Sequence, residues 1–137
     1  MPLALKGIVH DEIPEDIRES QLRKVENEIE IQSNIEHPNI LKLIGVFRDP
    51  YCHVLVYEKM SEDLFDRISR KRVFEEDEAC EIIRQIIRAV NYLHKNSIVH
   101  RDIKPENVAK INFYKRTRNL FLPKKFRFCS NHLTPTN

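Results

Sequence analysis

The chain has 137 residues, 41% of them hydrophobic and 32% charged, with only two glycines. That is enough for one domain of ordinary size and a composition typical of a globular chain. It excludes a glycine-rich phosphate loop, a membrane-spanning stretch and, because the apolar run in "MPLALKGIVHDEIPED" is so short, a signal peptide.

The net charge of +2 hides an asymmetry. Seven of the 23 basic residues (Lys110, Lys115, Arg116, Arg118, Lys124, Lys125, Arg127) lie in 108–137, which hold no acid. The other 16 face 21 acids, so a mildly acidic body carries a basic tail. Cys52, Cys80 and Cys129 are too widely spaced for a metal or redox motif, and an odd count without pairing spacing reads as reduced thiols. The expected compartment is intracellular, cytoplasm or nucleus.

In chain order, Leu3–Ile8 reads as a short strand around Lys6. "DEIPED" is a loop or helix start. Ile17, Leu22, Val25, Ile29 and Ile35 recur at mostly helical spacing and predict a helix over about 15–35. "EHPN" ends it, because Pro38 cannot continue a helix. "ILKLIGVFRD" and "HVLVYE" predict two strands joined by a turn at Asp49–Tyr51. Leu64–Ile68 suggests a short helix. Glu75–Asn96 is the clearest helix, with an apolar stripe of Ala79, Ile82, Ile83, Ile86, Val90 and Leu93. "SIVHRD" predicts a short strand leading into a polar loop. After Val108 no stable period is visible, and there is no internal repeat.

His100-Arg101-Asp102-Ile103-Lys104-Pro105-Glu106-Asn107 resembles the catalytic loop of Ser/Thr protein kinases, H-R-D-x-x-x-x-N. Lys two residues after the Asp resembles the Ser/Thr branch rather than the Tyr branch. "HPNI" at 37–40, "VLVYE" at 54–58, "DLFDRI" at 63–68 and "VNYLHKNSIVH" at 90–100 fall in the family's order and spacing. They look most like the calmodulin-dependent-kinase-like group, with a checkpoint-kinase flavour. The resemblance covers roughly residues 3–108. It implies an α+β fold, a truncated two-lobe kinase domain: a partial small-lobe sheet with its helix, then the first helices and catalytic loop of the large lobe. The implied domains are 1–108, a partial protein kinase domain, and 109–137, a basic tail expected to be disordered.

The resemblance implies ATP and magnesium as cofactors and a protein Ser or Thr as substrate. Asp102 would orient the substrate hydroxyl or accept its proton. Lys104 would offset charge on the transferred phosphoryl group. Asn107 would hold magnesium through its amide oxygen, a hard ligand. In "LALK", Lys6 would reach the α and β phosphates, paired with Glu28 of the first long helix. A carboxylate on that apolar side is costly unless paired; otherwise Glu28 rides the stripe's edge in water. In "YEKM", Tyr57 would be the gatekeeper, and the backbones of Glu58 and Met60 would pair with adenine. Asp63, or Glu62, would contact ribose; the alternative for both is a helix N-cap before "LFDRI".

The departures are also specific. Within these residues no Gly-rich loop precedes Lys6, and no D-F-G, activation segment or A-P-E follows Asn107. Losing the D-F-G carboxylate should lower the rate on the order of a thousandfold or more. Ala109 stands where the family usually has a larger residue flooring the adenine pocket. The tail's interleaved aromatics and bases fit a nuclear-import patch, an anionic membrane or nucleic acid, or sequence that has left the domain's usual frame. Three functions stay open: a kinase, a pseudokinase-like fragment that binds a kinase or regulator, and a partial product without a stable fold.

Overall fold

The computed structural model describes the backbone of residues 2–113, 116–121 and 127–128, and the side chains of residues 2–110. Strand β1 (Leu3–Val9) leads through a 3-10 turn (His10–Glu12) into helix α1 (Glu15–Ser33). Strands β2 (Leu43–Arg48) and β3 (Cys52–Glu58) follow as a hairpin. They form an antiparallel sheet of order β1-β3-β2, with Lys6 opposite Leu55 and Ala4 opposite Tyr57. Then come β4 (Glu62–Asp63), α2 (Leu64–Lys71), α3 (Glu76–Lys95), β5 (Ile98–Val99), a second 3-10 turn (Pro105–Asn107), β6 (Val108–Phe113), β7 (Arg116–Phe121) and β8 (Arg127–Phe128). A second sheet has the order β4-β6-β7, and β5 pairs with β8.

The helix ends carry their own chemistry. α1 starts after Pro14 with Glu15 and Asp16 in its first turn. α3 opens on Glu76, Asp77 and Glu78 and closes on His94 and Lys95, matching its dipole at both ends. Asp63 caps α2, its carboxylate accepting from the Asp66 amide at 2.8 Å.

Two buried clusters fill the molecule. One joins Ile29, Leu41, Leu43, Leu55, Tyr57 and Ala109; the other joins Ile31, Ile35, Ile40, Ala89, Leu93, Ile98 and Val108. Two elements serve both. α1 sends Ile29 to the first and Ile31 to the second. β6 sends Ala109 to the first and Val108 to the second, because successive strand residues point to opposite faces. The catalytic-loop sequence enters β6 at this seam.

Several sequence expectations change. Ile17 is exposed, so the apolar side of α1 begins packing only near its C-terminal half. Ile83 is 53% exposed and drops out of the α3 stripe; the buried line is Ile82, Gln85, Ala89, Leu93. "SIVHRD" gives a strand of two residues, Ile98–Val99. Where composition suggests a disordered tail from residue 109, β6 runs on to Phe113 and pairs with β7. The apolar alternation Ala109, Ile111, Phe113 has the period of a strand. Lys115, Lys124, Lys125 and Cys129, with the tail readings that rest on them, lie outside the described residues. Cys52 and Cys80 are free thiols. No helix among the described residues is long and apolar enough to cross a membrane.

Candidate active site

The polar loop after β5 is braced from inside. His100 is buried, and its Nδ1 accepts from the Asp102 amide at 3.2 Å. Arg101 takes a positive φ of 65°. A bulky residue there is strained by roughly 1–2 kcal/mol, and such strain persists only where surrounding contacts hold it. Here it turns the backbone so that Asp102 faces the next turn.

That turn delivers Asn107, which is fully buried. Its Nδ2 donates to the Asp102 carbonyl at 2.7 Å and to the Asp102 carboxylate at 3.0 Å. Its Oδ1 is buried with no hydrogen-bond partner, an uncommon state for a polar atom. Lys104 Nζ lies 3.7 Å from Asp102 Oδ1. The structure therefore gathers Asp102, Lys104 and Asn107 into one cluster: a carboxylate, an ammonium and an orphaned amide oxygen.

β4 and β6 bring the connecting segment beside this loop. Glu62 pairs with Lys110 and Asp63 with Ala109, and the Ser61 amide and hydroxyl both donate to the Lys110 carbonyl. Glu58 ends β3 and Met60 packs on the cluster that holds Ala109. Asp63 takes the N-cap role, and Glu62 receives a two-pronged bond from Arg70 at 3.0 and 3.1 Å. Both carboxylates are thus engaged with α2.

Tyr57 is buried and donates its hydroxyl to Gln32 Oε1 at 2.7 Å. Burial first, then the charge of Glu28, pushes its phenol up to about 12, against the opposing effect of the Gln32 bond. Glu28 is thus electrostatically close to Tyr57, on the helix side of the sheet. Lys6 shares a sheet face with Leu55 yet stays exposed on the outer strand. Glu28 is itself engaged by a neighbour.

Comparison with known proteins assigns the chain to a family. The family described as "Protein kinase domain" matches residues 2–112. The chain belongs to the protein kinase domain family. It is 41% identical over 107 residues to an Aurora kinase of Schizosaccharomyces pombe, covering 77% of this chain and 29% of that one. It is equally identical over 107 residues to the human NUAK family SNF1-like kinase 2, covering 77% and 17%. A probable myosin light chain kinase of Dictyostelium discoideum is 38% identical over 93 residues, covering 67% and 24%. The chain thus spans less than a third of the length of each of these relatives.

Sequence reading missed one polar assembly in this kinase domain. Glu26 accepts from Arg48 twice at 2.9 Å and lies 2.7 Å from His53, which in turn lies 2.8 Å from His10. The alternation of β3 places His53 on the face of Leu55 and Tyr57, and Glu26 is three residues from Ile29. Those two signals could have joined them; the position of His10 could not be read without the strand register.

Proposed function

We propose that the chain is part of a Ser/Thr protein kinase, moving the γ-phosphate of ATP to a protein Ser or Thr hydroxyl. The observation that carries this is the Asp102–Asn107 pairing, which fixes the carboxylate and leaves an amide oxygen without a partner. Asp102 orients the incoming hydroxyl and takes up its proton. Lys104, already near that carboxylate, offsets charge on the transferred group. Glu58 and Met60 offer backbone groups to adenine, Lys6 reaches toward phosphates, with Glu28 behind it, and Asp63 stands at the ribose side.

The orphaned Asn107 Oδ1 fits a hard cation such as magnesium. When bound, the ion would neutralise phosphate charge. No group of three or more His, Cys, Asp or Glu that could hold a metal occurs among the described residues. Asn107 Oδ1, beside the Asp102 carboxylate, would be the group that holds the ion.

Transfer of labelled phosphate to a general protein substrate tests this. Asp102→Ala should abolish the transfer, by a hundredfold or more as expected for a lost acid–base group (about 10²–10⁴). Transfer that survives Asp102→Ala overturns the assignment. A second reading is a non-transferring fragment that binds a kinase or regulator through α1. It requires a stable complex that is indifferent to Asp102→Ala. Either reading places the chain in cytoplasm or nucleus.

A further inference from the structure

The two halves of α1 are held differently. Its buried residues, Ile29, Ile31 and Gln32, all lie near the C-terminal end. A groove of about 740 Å³ opens beside the helix, lined among others by Leu22, Glu26, Asn27 and Arg48. The earlier turns add polar contacts to the packing of Val25 on the first cluster. Arg18 donates to the Ile13 carbonyl at 3.2 Å and lies 3.9 Å from Asp11. Glu26 binds Arg48 and His53.

The Glu26 contact continues as a chain. His53 Nε2 lies 2.7 Å from Glu26 Oε1, His53 Nδ1 lies 2.8 Å from His10 Nε2, and His10 Nδ1 lies 2.9 Å from the Pro50 carbonyl. Both ends can only accept. A backbone carbonyl has no proton, and the Glu26 carboxyl is held down to about 2, chiefly by the Arg48 guanidinium. Three contacts therefore require three N–H protons. Two neutral imidazoles own two.

We propose that His10 and His53 share one extra proton, and that this proton latches the earlier turns of α1 to the sheet. Glu26 faces His53 from α1. Asp49 faces His10 from the β2–β3 turn, and Asp11 and Glu12 adjoin His10 in the 3-10 turn; Arg48 on β2 opposes. Cys52 is tied to Asp49, and its thiol is pushed up by that bond, so it stays neutral. The latch is complete where the third proton is held. Where that proton is given up as pH rises, one contact loses its hydrogen and the helix turn it secures loosens. The acid limit is set by Glu26, which must stay ionised.

Amide hydrogen exchange on the full chain, corrected for intrinsic rate, tests this. Between about pH 5.5 and pH 8, protection of residues 19–27 should fall roughly tenfold relative to residues 29–33, the weight of one hydrogen bond. Glu26→Gln should remove that slope. Its amide can donate to His53 Nε2, and two neutral rings then satisfy all three contacts. His10→Ala, at the outer end of the chain, should remove it as well. NMR of the ring nitrogens supplies a readout independent of fold stability: three N–H protons on the pair at the lower pH, two at the higher. A wild-type protection ratio that does not change with pH, a slope that survives both variants, or two protons on the rings while residues 19–27 are protected would overturn the proposal.

Discussion

Asn107 is bound to Asp102 twice, through the carbonyl at 2.7 Å and the carboxylate at 3.0 Å, with no exposed surface of its own. Asn107→Ala removes both bonds and leaves partly buried acceptors behind. We expect a loss of about 1–3 kcal/mol, read from the urea midpoint. Asn107→Asp should cost more at neutral pH, because it sets a second carboxylate against the first, and should recover in acid.

Tyr57 predicts an alkaline limit to stability. Its folded phenol is raised to about 12 from the usual 10.0. A raised group stabilises fully below its unfolded value, and that contribution is lost as pH climbs through the folded one. Stability should therefore fall between pH 10 and about 12. Tyr57→Phe should flatten this limb, and at neutral pH should cost about 1 kcal/mol for the lost Tyr57–Gln32 hydrogen bond. Denaturation at a series of alkaline pH values measures both.

The difference between what could and could not be read from sequence has a physical basis. The family was legible because the H-R-D-x-x-x-x-N pattern and its flanking motifs set particular side chains at fixed spacing. α1 and α3 were legible from helical period, to within two residues at each end. Ile83 was misplaced because period alone gives a stripe, and the neighbours decide how wide a stripe is covered. The two-core role of α1 and β6 was hidden, since it depends on where the chain passes between clusters. The His10–His53 contact was hidden for a related reason: it joins residues 43 apart through strand register.

Glu26 predicts the acid limit. Its carboxyl is lowered to about 2 from 4.5, by the Arg48 bond first and the His53 bond after it, against burial. A lowered group stabilises above its unfolded value, and that contribution disappears as pH falls through the folded one. Stability should therefore decline between pH 4.5 and about 2. Glu26→Gln should make that decline shallower. The effect is modest, because the side chain is 46% exposed and solvent screens it. Thermal midpoints across this range supply the comparison.

Arg67 ties α2 to α3. Its guanidinium pairs with Glu78, which Lys71 also meets, and it lies 5.4 Å from the centre of the Phe74 ring. Its side chain is only 10% exposed. Arg67→Met keeps the stem packed, and Lys71 still serves Glu78, so the loss should be about 1–2 kcal/mol. Arg67→Ala also removes the stem and should cost more. Urea unfolding of the two variants side by side separates packing from charge.

The central claim is that Asp102, Lys104 and Asn107 form a nucleotide-facing site that can accept a metal ion. Thermal unfolding of the purified chain with and without magnesium-ATP tests it most directly. At 100 times its dissociation constant the nucleotide should add about 2.7 kcal/mol, raising a cooperative transition by several degrees. Asn107→Ala should lose most of that rise. A cooperative transition that ignores magnesium-ATP, or a rise that Asn107→Ala leaves intact, would contradict the claim.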